Sequence, residues 1–516
     1  FKRMPDSTWV LANENTYVNF YIVKGAQQLY AHQLRNFDKY QFDVQNADSI
    51  FGLLGTIHEL PEATAQTDTF WIHNRHGPLK EKESALDDLL AQLRKVPAFN
   101  VIIKTAEILI TGYIPTTADK DKSKFDFGPM NTTFSANHLE GFRMRVGGMT
   151  TANLNPHWFG SGYLAYGVND RKLKYNAKLT YSVNKKKYHE GESPVNNISA
   201  IQEYDVYTPG QDFLFTSKDN MFVAWKVGEP VTMMQYIRKT MLQYQKEWLN
   251  GLTLTTWARN ENNEAAGTLR YDRYDADGTL TNLKSFTNTE LGTQLRFAPG
   301  ERAYNGREGK NSLFNLSKDA PVFKLSHQMG LKNVLGSDFN YNHTEISAEK
   351  RIWLSSFGHI DALVTAGKVW DKVPFPLLIM PNTNQSITIQ PQAFNMMRAL
   401  EFVSDQYVSF YFTYYMKGWI LNRIPGVKWL RLREVISFSG FYGGLTDKNN
   451  PALDPTGLYR FPEGTSPMGR TPYLEASVGL ENIFKILRID YYRRLTYLDQ
   501  PNIKKGGVRI ALRFSF

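Results

Sequence analysis

From about Leu139 to the last residue, side-chain polarity alternates with a period of two, over runs too long for an ordinary soluble sheet. In Lys172 to Asn184, Leu173, Tyr175, Ala177, Leu179, Tyr181 and Val183 fall on one face, and Lys172, Lys174, Asn176, Lys178, Thr180 and Ser182 on the other. Successive side chains of a strand point to opposite faces, so such a segment has one apolar wall and one polar wall. The pattern returns at Leu474, Ala476, Val478 and Leu480 against Glu475, Ser477, Gly479 and Glu481. It returns again at Leu487, Ile489 and Tyr491 against Arg488, Asp490, Tyr492 and Arg494, with Arg493 interrupting the apolar row. Soluble strands average about 5–6 residues. Several runs here reach about 10–14, as a tilted membrane-crossing strand of roughly 9–11 requires. The pattern predicts an all-β fold, a transmembrane antiparallel β-barrel with an apolar exterior and a polar lumen.

Composition agrees. Of 516 residues 42% are hydrophobic, and the mean hydropathy of −0.42 is too polar for a bundle of membrane helices. The nearest apolar runs, Val101 to Ile103 and Phe375 to Met380, fall far short of the ~20 residues a spanning helix needs. A barrel escapes that requirement because only alternate residues face lipid. Aromatics at 14% suit two interfacial girdles. With no cysteine, disulfides and Cys-based metal sites are excluded. The net charge of +10 is spread along the chain. It reads as lumen and rim chemistry, compatible with anionic headgroups and lipopolysaccharide but not with nucleic acid. The start at Phe1 without a signal peptide reads as a mature or truncated form.

Strands are expected at 139–150, 157–168, 172–184, 238–248, 251–262, 286–298, 320–332, 341–355, 358–370, 400–418, 430–443, 472–484, 486–499 and 504–516. That makes about 14, within a range of about 12–16. The fourth has alternatives: 219–228 could replace it, and 233–247 could be helical. Counting back from a periplasmic C-terminus, the turns at 484–486 and 356–358 are short, as periplasmic turns should be. The connections 185–237, 371–399 and 444–471 are long and expected to be extracellular, the first either external or folded into the lumen; 299–319 departs from this order. The barrel is placed at 126–516. Before it, 1–125 reads as a small periplasmic α+β segment with short strands and helices at 84–96 and 99–110. The first helix has Ser84 and Asp87 in a capping-box-like pair, Leu86, Leu89, Leu90 and Leu93 on one face, and Pro97 at its end. The second is either a core helix or one lying at the membrane interface.

Candidate chemistry is sparse. His73 and His76 have a spacing suited to metal ligation on a helix, but Gly77-Pro78 favours a polar turn, and no metal or cofactor is expected. Gly147-Gly148 and Gly443-Gly444 lack the Lys-Ser/Thr of a phosphate loop. The basic row Arg143, Arg145, Lys172, Lys174 and Lys178, with Glu475, Glu481 and Asp490, is expected to face the lumen. It could serve hydrolysis, but a salt-bridged lumen wall is the simpler reading. In the last strand, Val508, Ile510, Leu512, Phe514 and Phe516 face one way and Arg509, Arg513 and Ser515 the other. Lys505, Gly507, Ile510, Leu512, Phe514 and Phe516 look like the β-signal by which barrel-assembly machinery recognises its substrates.

Thr69-Phe70-Trp71, Phe125-Asp126-Phe127-Gly128-Pro129, Leu139-Glu140-Gly141-Phe142-Arg143, Gly162-Tyr163-Leu164-Ala165-Tyr166-Gly167 and, above all, Pro472-Tyr473-Leu474-Glu475 with Gly479-Leu480-Glu481-Asn482-Ile483-Phe484 stand out together. These segments resemble an uncharacterised Bacteroidota outer-membrane barrel family whose members often begin with a carboxypeptidase-regulatory-like domain, which this sequence reads as lacking, as a truncated form would. More distantly, the order of a periplasmic segment and then a barrel is similar to outer-membrane assembly and secretion pores. The inward Arg-Gly-aromatic motif of those pores has its nearest counterpart in Leu458-Tyr459-Arg460-Phe461-Pro462, which lacks the Gly. The resemblance implies an outer-membrane location and a non-enzymatic role as subunit or accessory of an outer-membrane protein assembly, export or surface-protein complex, with other outer-membrane or periplasmic proteins as partners. A solute channel with a basic lumen is the alternative, and a lumen hydrolase comes third.

Overall fold

The two-residue alternation is realised as long antiparallel strands. The structure, a computed structural model, describes residues 1–20, 29–38, 40, 42, 45, 68–74, 101, 105, 108 and 112–512, apart from 118, 120, 121, 215, 224, 228–230, 302, 305–313, 316–318 and 502. The chain divides into two units, Phe1–Leu53 with Ile57–Ile102, and Leu54–Thr56 with Ile103–Phe516. Residues 103–125, read from the sequence as part of the N-terminal segment, therefore fall with the barrel unit.

In the N-terminal unit β1 (Lys2–Arg3) pairs with β2 (Trp9–Val10), and β3 (Asn13–Phe20) pairs with β4 (Leu29–Asn36) from Asn13↔Asn36 to Phe20↔Leu29. Tyr17 stacks on His32 across this hairpin at 4.3 Å. Helix α1 (Asp68–Asn74) carries His73 in its last turn, where a polar turn was expected. His76 and the expected helix 84–96 lie outside the described residues. Of 99–110, Val101, Thr105 and Ile108 are described, and each is helical.

The second unit contains β5 (Ile114–Pro115), β6 (Phe125–Phe127), β7 (Phe134–Asn137), β8 (Gly141–Thr150), β9 (Trp158–Gly167), β10 (Leu173–Ser182), β11 (Asn196–Tyr207), β12 (Met233–Glu247) and β13 (Leu252–Gly267). Then come β14 (Tyr271–Tyr274), β15 (Leu280–Leu283), β16 (Ser285–Phe297), β17 (Ala303–Tyr304), β18 (Phe314–Asn315), β19 (Val322–Gly330), β20 (Tyr341–Trp353) and β21 (His359–Val369). Last are β22 (Phe402–Val403), β23 (Gln406–Tyr415), β24 (Arg433–Gly444), β25 (Ser466–Pro467), β26 (Tyr473–Ile483), β27 (Leu487–Arg494) and β28 (Gly506–Leu512). Pairs β14–β15, β17–β18 and β22–β25 lie in the connections; the other eighteen described strands close into a barrel.

All fourteen expected strands are present, but the barrel has more. β11 lies inside 185–237, which the sequence reading took as a single insertion, and pairs along its whole length with β12 from Asn196↔Lys246 to Tyr207↔Gln235. Its alternation is blurred because Ile201 falls on the inward row and Gln202 on the outward row. β6 and β7 both pair with β8, Phe125↔Thr150 to Phe127↔Gly148 and Phe134↔Met144 to Asn137↔Gly141, and so form one interrupted stave. Pro129, which has no N–H for the ladder, stands in the gap.

Burial is inverted relative to a soluble protein. On β8 Phe142, Met144 and Val146 are exposed, Val146 at 66%, while Arg143 between them is 0% exposed. On β26 Val478 is exposed whereas Tyr473, Glu475, Ser477 and Glu481 are buried. Consecutive strands run antiparallel, so the connections sort to two ends. One end, the turn end, has 151–157, 183–195, 248–251, 298–321, 354–358, 416–432 and 484–486. The other, the loop end, has the long connections 208–232, 268–284, 370–401 and 445–472.

Candidate functional site

The inward row of the wall built by β7 to β12 is a buried ion cluster. Arg143 donates from Nη1 to Glu140 at 2.8 Å and to Asp205 at 2.7 Å, and from Nη2 to the other Asp205 oxygen at 2.9 Å and to Asp219 at 3.2 Å. Lys174 pairs with Glu140 at 2.7 Å and with Asp170 at 2.5 Å, and Tyr236 Oη donates to Asp170 at 2.7 Å. Arg145 reaches Asp219 at 2.7 Å and lies over the Tyr163 ring at 3.6 Å. Of the other expected lumen cations, Lys178 meets Glu190 at 2.7 Å. Lys172, just before β10, is half-buried and meets Glu264 at 3.5 Å and the Tyr236 ring, both on the outward row, so it stands at the rim and not on the lumen wall. Every member of the row thus has a carboxylate partner. Burying cations without such partners would cost several kcal/mol each, so the carboxylates hold the row in place.

Asp219 does not belong to the wall. It sits in the 208–232 connection, and its pairing draws that loop into the lumen. Burial alone would raise its carboxyl, but Lys218 and Arg143 outweigh burial and hold it below the ordinary carboxylate range.

The 370–401 connection is tethered to the inner face of three consecutive strands, β26, β27 and β28. Glu475 on β26 accepts the backbone N–H groups of Asn395 and Met396 at 2.8 and 2.9 Å, and the Tyr473 hydroxyl at 2.9 Å. Arg494 on β27 makes a two-pronged pair with Glu401 at 2.6 and 3.0 Å, both side chains fully buried. Arg509 on β28 donates to the Asn395 carbonyl at 2.6 Å. Backbone pairing adds to this. Ile510 N donates to Ile387 O at 2.9 Å, and Ile389 N donates to Ile510 O at 2.8 Å. On its other side the same segment pairs with the 208–232 loop, Val227 N to Gln385 O and Ile387 N to Trp225 O, both at 2.8 Å. The two inward loops are therefore stitched to each other and to the last strand. Lys226, in that stitch, opens onto a cavity and lies over the Phe213 ring at 5.5 Å.

At the loop end, Tyr271 on β14, Phe375 and Tyr459 meet with ring centroids 5.9 to 6.4 Å apart, packed with Phe286, Val373, Leu378 and Leu400. Leu458 and Tyr459 are the buried residues of the Leu458–Pro462 segment, and Arg460 beside them pairs with Asp272 at 2.7 Å. Below this apolar core lies a cavity of about 570 Å³. Its charged lining is Asp212, Glu261, Glu290 and Glu345 against Arg259 and Lys324, with His343. Glu290 is saturated by Arg259 at 2.7 Å, Tyr341 at 2.8 Å and Trp257 at 2.9 Å; Glu345 accepts Tyr407 at 2.7 Å. Among the described residues no cluster of three His, Asp or Glu could hold a metal ion.

The motif singled out near the C-terminus acquires a structural account. Pro472 precedes β26, and Tyr473 and Glu475 form the loop tether. A Cβ on Gly479 would stand 2.0 Å from Asp490 Oδ1, so glycine leaves room for the buried Arg488–Asp490 pair at 2.5 Å. Glu481 is buried beside Arg433 in the register. Asn482 turns at φ 68° and donates to Arg431 O at 2.6 Å, while Phe484 at the turn is 88% exposed. In the C-terminal signal, Lys505 O accepts Arg494 N, and Gly507 leaves space for Met396, which a Cβ would meet at 3.2 Å. Ile510 carries the stitch, and Leu512 is exposed. Phe514 and Phe516 lie outside the described residues. The sequence reading missed Asp205, Asp219, Glu401, Arg259 and Glu290. Asp205 and Asp219 fall in the stretch taken as an insertion, and a lone acid there gives no signal until the fold supplies its cation.

A closed barrel with an apolar outer face, an ion-paired inner wall and a lumen occupied by its own loops defines the class of protein. The chain belongs to the family of unknown function DUF5686, whose C-terminal domain matches residues 106–449. No curated protein matches it. Among solved structures it is similar to BamA from Haemophilus ducreyi lacking POTRA domains 1-3, at 9% identity over 97% of this chain and 90% of that one, with a TM-score of 0.47. It is also similar to CdiB from Acinetobacter baumannii, at 11% identity over 73% of this chain and 57% of that one, with a TM-score of 0.35.

Proposed function

We propose that the chain is an integral, non-enzymatic outer-membrane barrel that carries its N-terminal unit in the periplasm. In this reading it is a subunit or accessory of a protein assembly, export or surface-protein complex, inserted by barrel-assembly machinery that reads its last strand. The observation that carries the reading is the inverted surface together with a filled lumen: Val146 and Val478 are exposed while Arg143 and Glu475 are buried and engaged. An exposed apolar band on this scale has hydrocarbon as its natural solvent. The Arg143 row, Arg259 and Arg494 are committed to the chain's own carboxylates, Arg509 holds a loop carbonyl, and the inward loops occupy the lumen. What the molecule leaves free for function is its two ends and its N-terminal unit, which suits an anchored scaffold.

The channel alternative would need a basic path for anions, but the charged lining of the cavity is predominantly acidic. A lumen hydrolase comes third: Glu290 and Glu475 are held by three hydrogen bonds each, which leaves Asp212 and Glu261 as the cavity carboxylates for such chemistry. Copurification from native membranes in mild detergent, combined with planar-bilayer conductance of the purified chain, tests the reading. Reproducible protein partners and a silent bilayer are expected. Discrete conductance steps with no partner would overturn it in favour of a channel.

A further inference from the structure

The connection between β23 and β24 at the turn end has a composition unlike any other in the barrel. From Met416 to Arg433 it carries Lys417, Arg423, Lys428, Arg431 and Arg433 and no acid. Among the described residues none of these five forms an ion pair, in contrast to the engaged cations of the lumen. Interleaved with them are exposed apolar side chains: Ile420, Ile424, Leu430 and Trp429, the last 79% exposed. Trp419 packs edge-on against Phe357 of the neighbouring turn at 5.1 Å. Lys417 lies over Trp353 at 4.4 Å, Arg423 over Trp419 at 5.6 Å and Lys428 over Trp429 at 5.8 Å. The turns on either side add exposed Phe357, Phe484 and Ile486. The patch is continuous with the outward apolar rows of its own two strands, Val408 and Phe412 on β23 and Ile436 and Phe438 on β24, all exposed. Tyr414, on the same row, donates its hydroxyl to Phe357 O at 2.9 Å and ties the patch to the band.

Tryptophan and aliphatic side chains mixed with free cations at the edge of an apolar band match the boundary between hydrocarbon and headgroups. We propose that 416–433 is a site for anionic phospholipid: Ile420, Ile424, Trp429 and Leu430 sit in the leaflet at the turn end while Lys417, Arg423, Lys428 and Arg431 hold phosphate-bearing headgroups. The inference rests on the membrane-barrel reading above. Charge complementarity selects lipid of net negative charge over zwitterionic lipid, and continuity with the band favours a lipid surface over a protein partner. Each cation close to an anionic surface adds attraction.

The test uses the full chain in nanodiscs of phosphatidylcholine with and without phosphatidylglycerol. Lipids retained after transfer to detergent are read by native mass spectrometry, and the folded barrel is verified by heat-modifiable migration on a gel. The wild type is expected to retain phosphatidylglycerol over phosphatidylcholine by about tenfold or more, several cations acting together. The variant K417Q/R423Q/K428Q/R431Q should fall to near parity, and W429S/L430S should lose retained lipid of both kinds. Because these side chains are exposed, both variants should keep heat-modifiable migration. A wild-type barrel that inserts but shows no preference for phosphatidylglycerol overturns the inference and leaves the membrane reading standing. So does a preference that the four glutamines do not reduce, or crosslinks from 416–433 to another polypeptide instead of lipid in native membranes. Failure of the wild type to insert into any bilayer overturns the membrane reading itself.

Discussion

Arg143 shows how much one side chain can carry in a lumen. It is fully buried and satisfies oxygens on Glu140, Asp205 and Asp219, which come from the wall strand's own turn, from β11 and from an inward loop. Replacing it by Met would leave three carboxylates around a gap with Lys174, Lys218 and Arg145 at its rim to balance them. We expect Arg143→Met to destabilise the folded barrel by about 3 kcal/mol or more, read as a shift of the urea midpoint in detergent, with partial recovery in R143M/D219N. Asp219 gives a pH prediction. Its folded carboxyl is held below its unfolded value, so the docking it provides is complete above the ordinary carboxylate range and is lost only as pH falls below that range. Hydrogen exchange of the 208–232 loop should therefore be unchanged between about pH 7 and about pH 5, after correction for intrinsic rates, and rise only below about pH 4. Release already at about pH 5 would contradict the assigned pairing.

At the scale of elements, a distinction appears between strands and the loops they hold. The strands are stabilised by ladders such as β12–β13, which pairs from Met233↔Gly267 to Glu247↔Thr253, and these need nothing from the lumen contents. The 370–401 loop depends instead on Glu475, Arg494, Arg509 and the backbone of Ile510. Replacing residues 376–398 by a short Gly-Ser linker should leave the heat-modifiable barrel intact and turn a silent bilayer into a conducting one. If conductance stays absent although the barrel folds, the loop is not what fills the lumen. The same distinction explains what the sequence disclosed about elements. β10 was legible because Leu173, Leu179 and Tyr181 face out and Lys174, Thr180 and Ser182 are buried, with no residue out of place. β11 was not, because Ile201 and Gln202 each fall on the row opposite to their polarity.

For the whole molecule, the deciding quantity is what surrounds the outer face. In a water-soluble protein an exposed Val146→Arg substitution would change stability by less than about 0.5 kcal/mol. On a lipid-facing strand near the bilayer midplane the same change costs about 2–4 kcal/mol. Folding of V146R into phosphatidylcholine vesicles, compared with the wild type by equilibrium titration in urea, should show a loss in the larger range. A loss below about 0.5 kcal/mol would mean that water wets this face.

The fourteen expected strands, the sorting of short and long connections and the inward orientation of the Arg143 row all follow from side-chain alternation, a local property that the chain carries along its length. Which acid meets which cation is not local. Arg143 and Asp219 are 76 positions apart, Arg494 and Glu401 are 93 apart, and Arg509 and Asn395 are 114 apart. Nothing in the neighbourhood of either member encodes such a pairing, because it exists only after the sheet has closed and the loops have turned inward. The amino-acid order by itself settled that this chain forms a barrel with a polar inside; only the tertiary structure decided that the inside is filled, since the groups that fill it meet across the lumen and not along the chain.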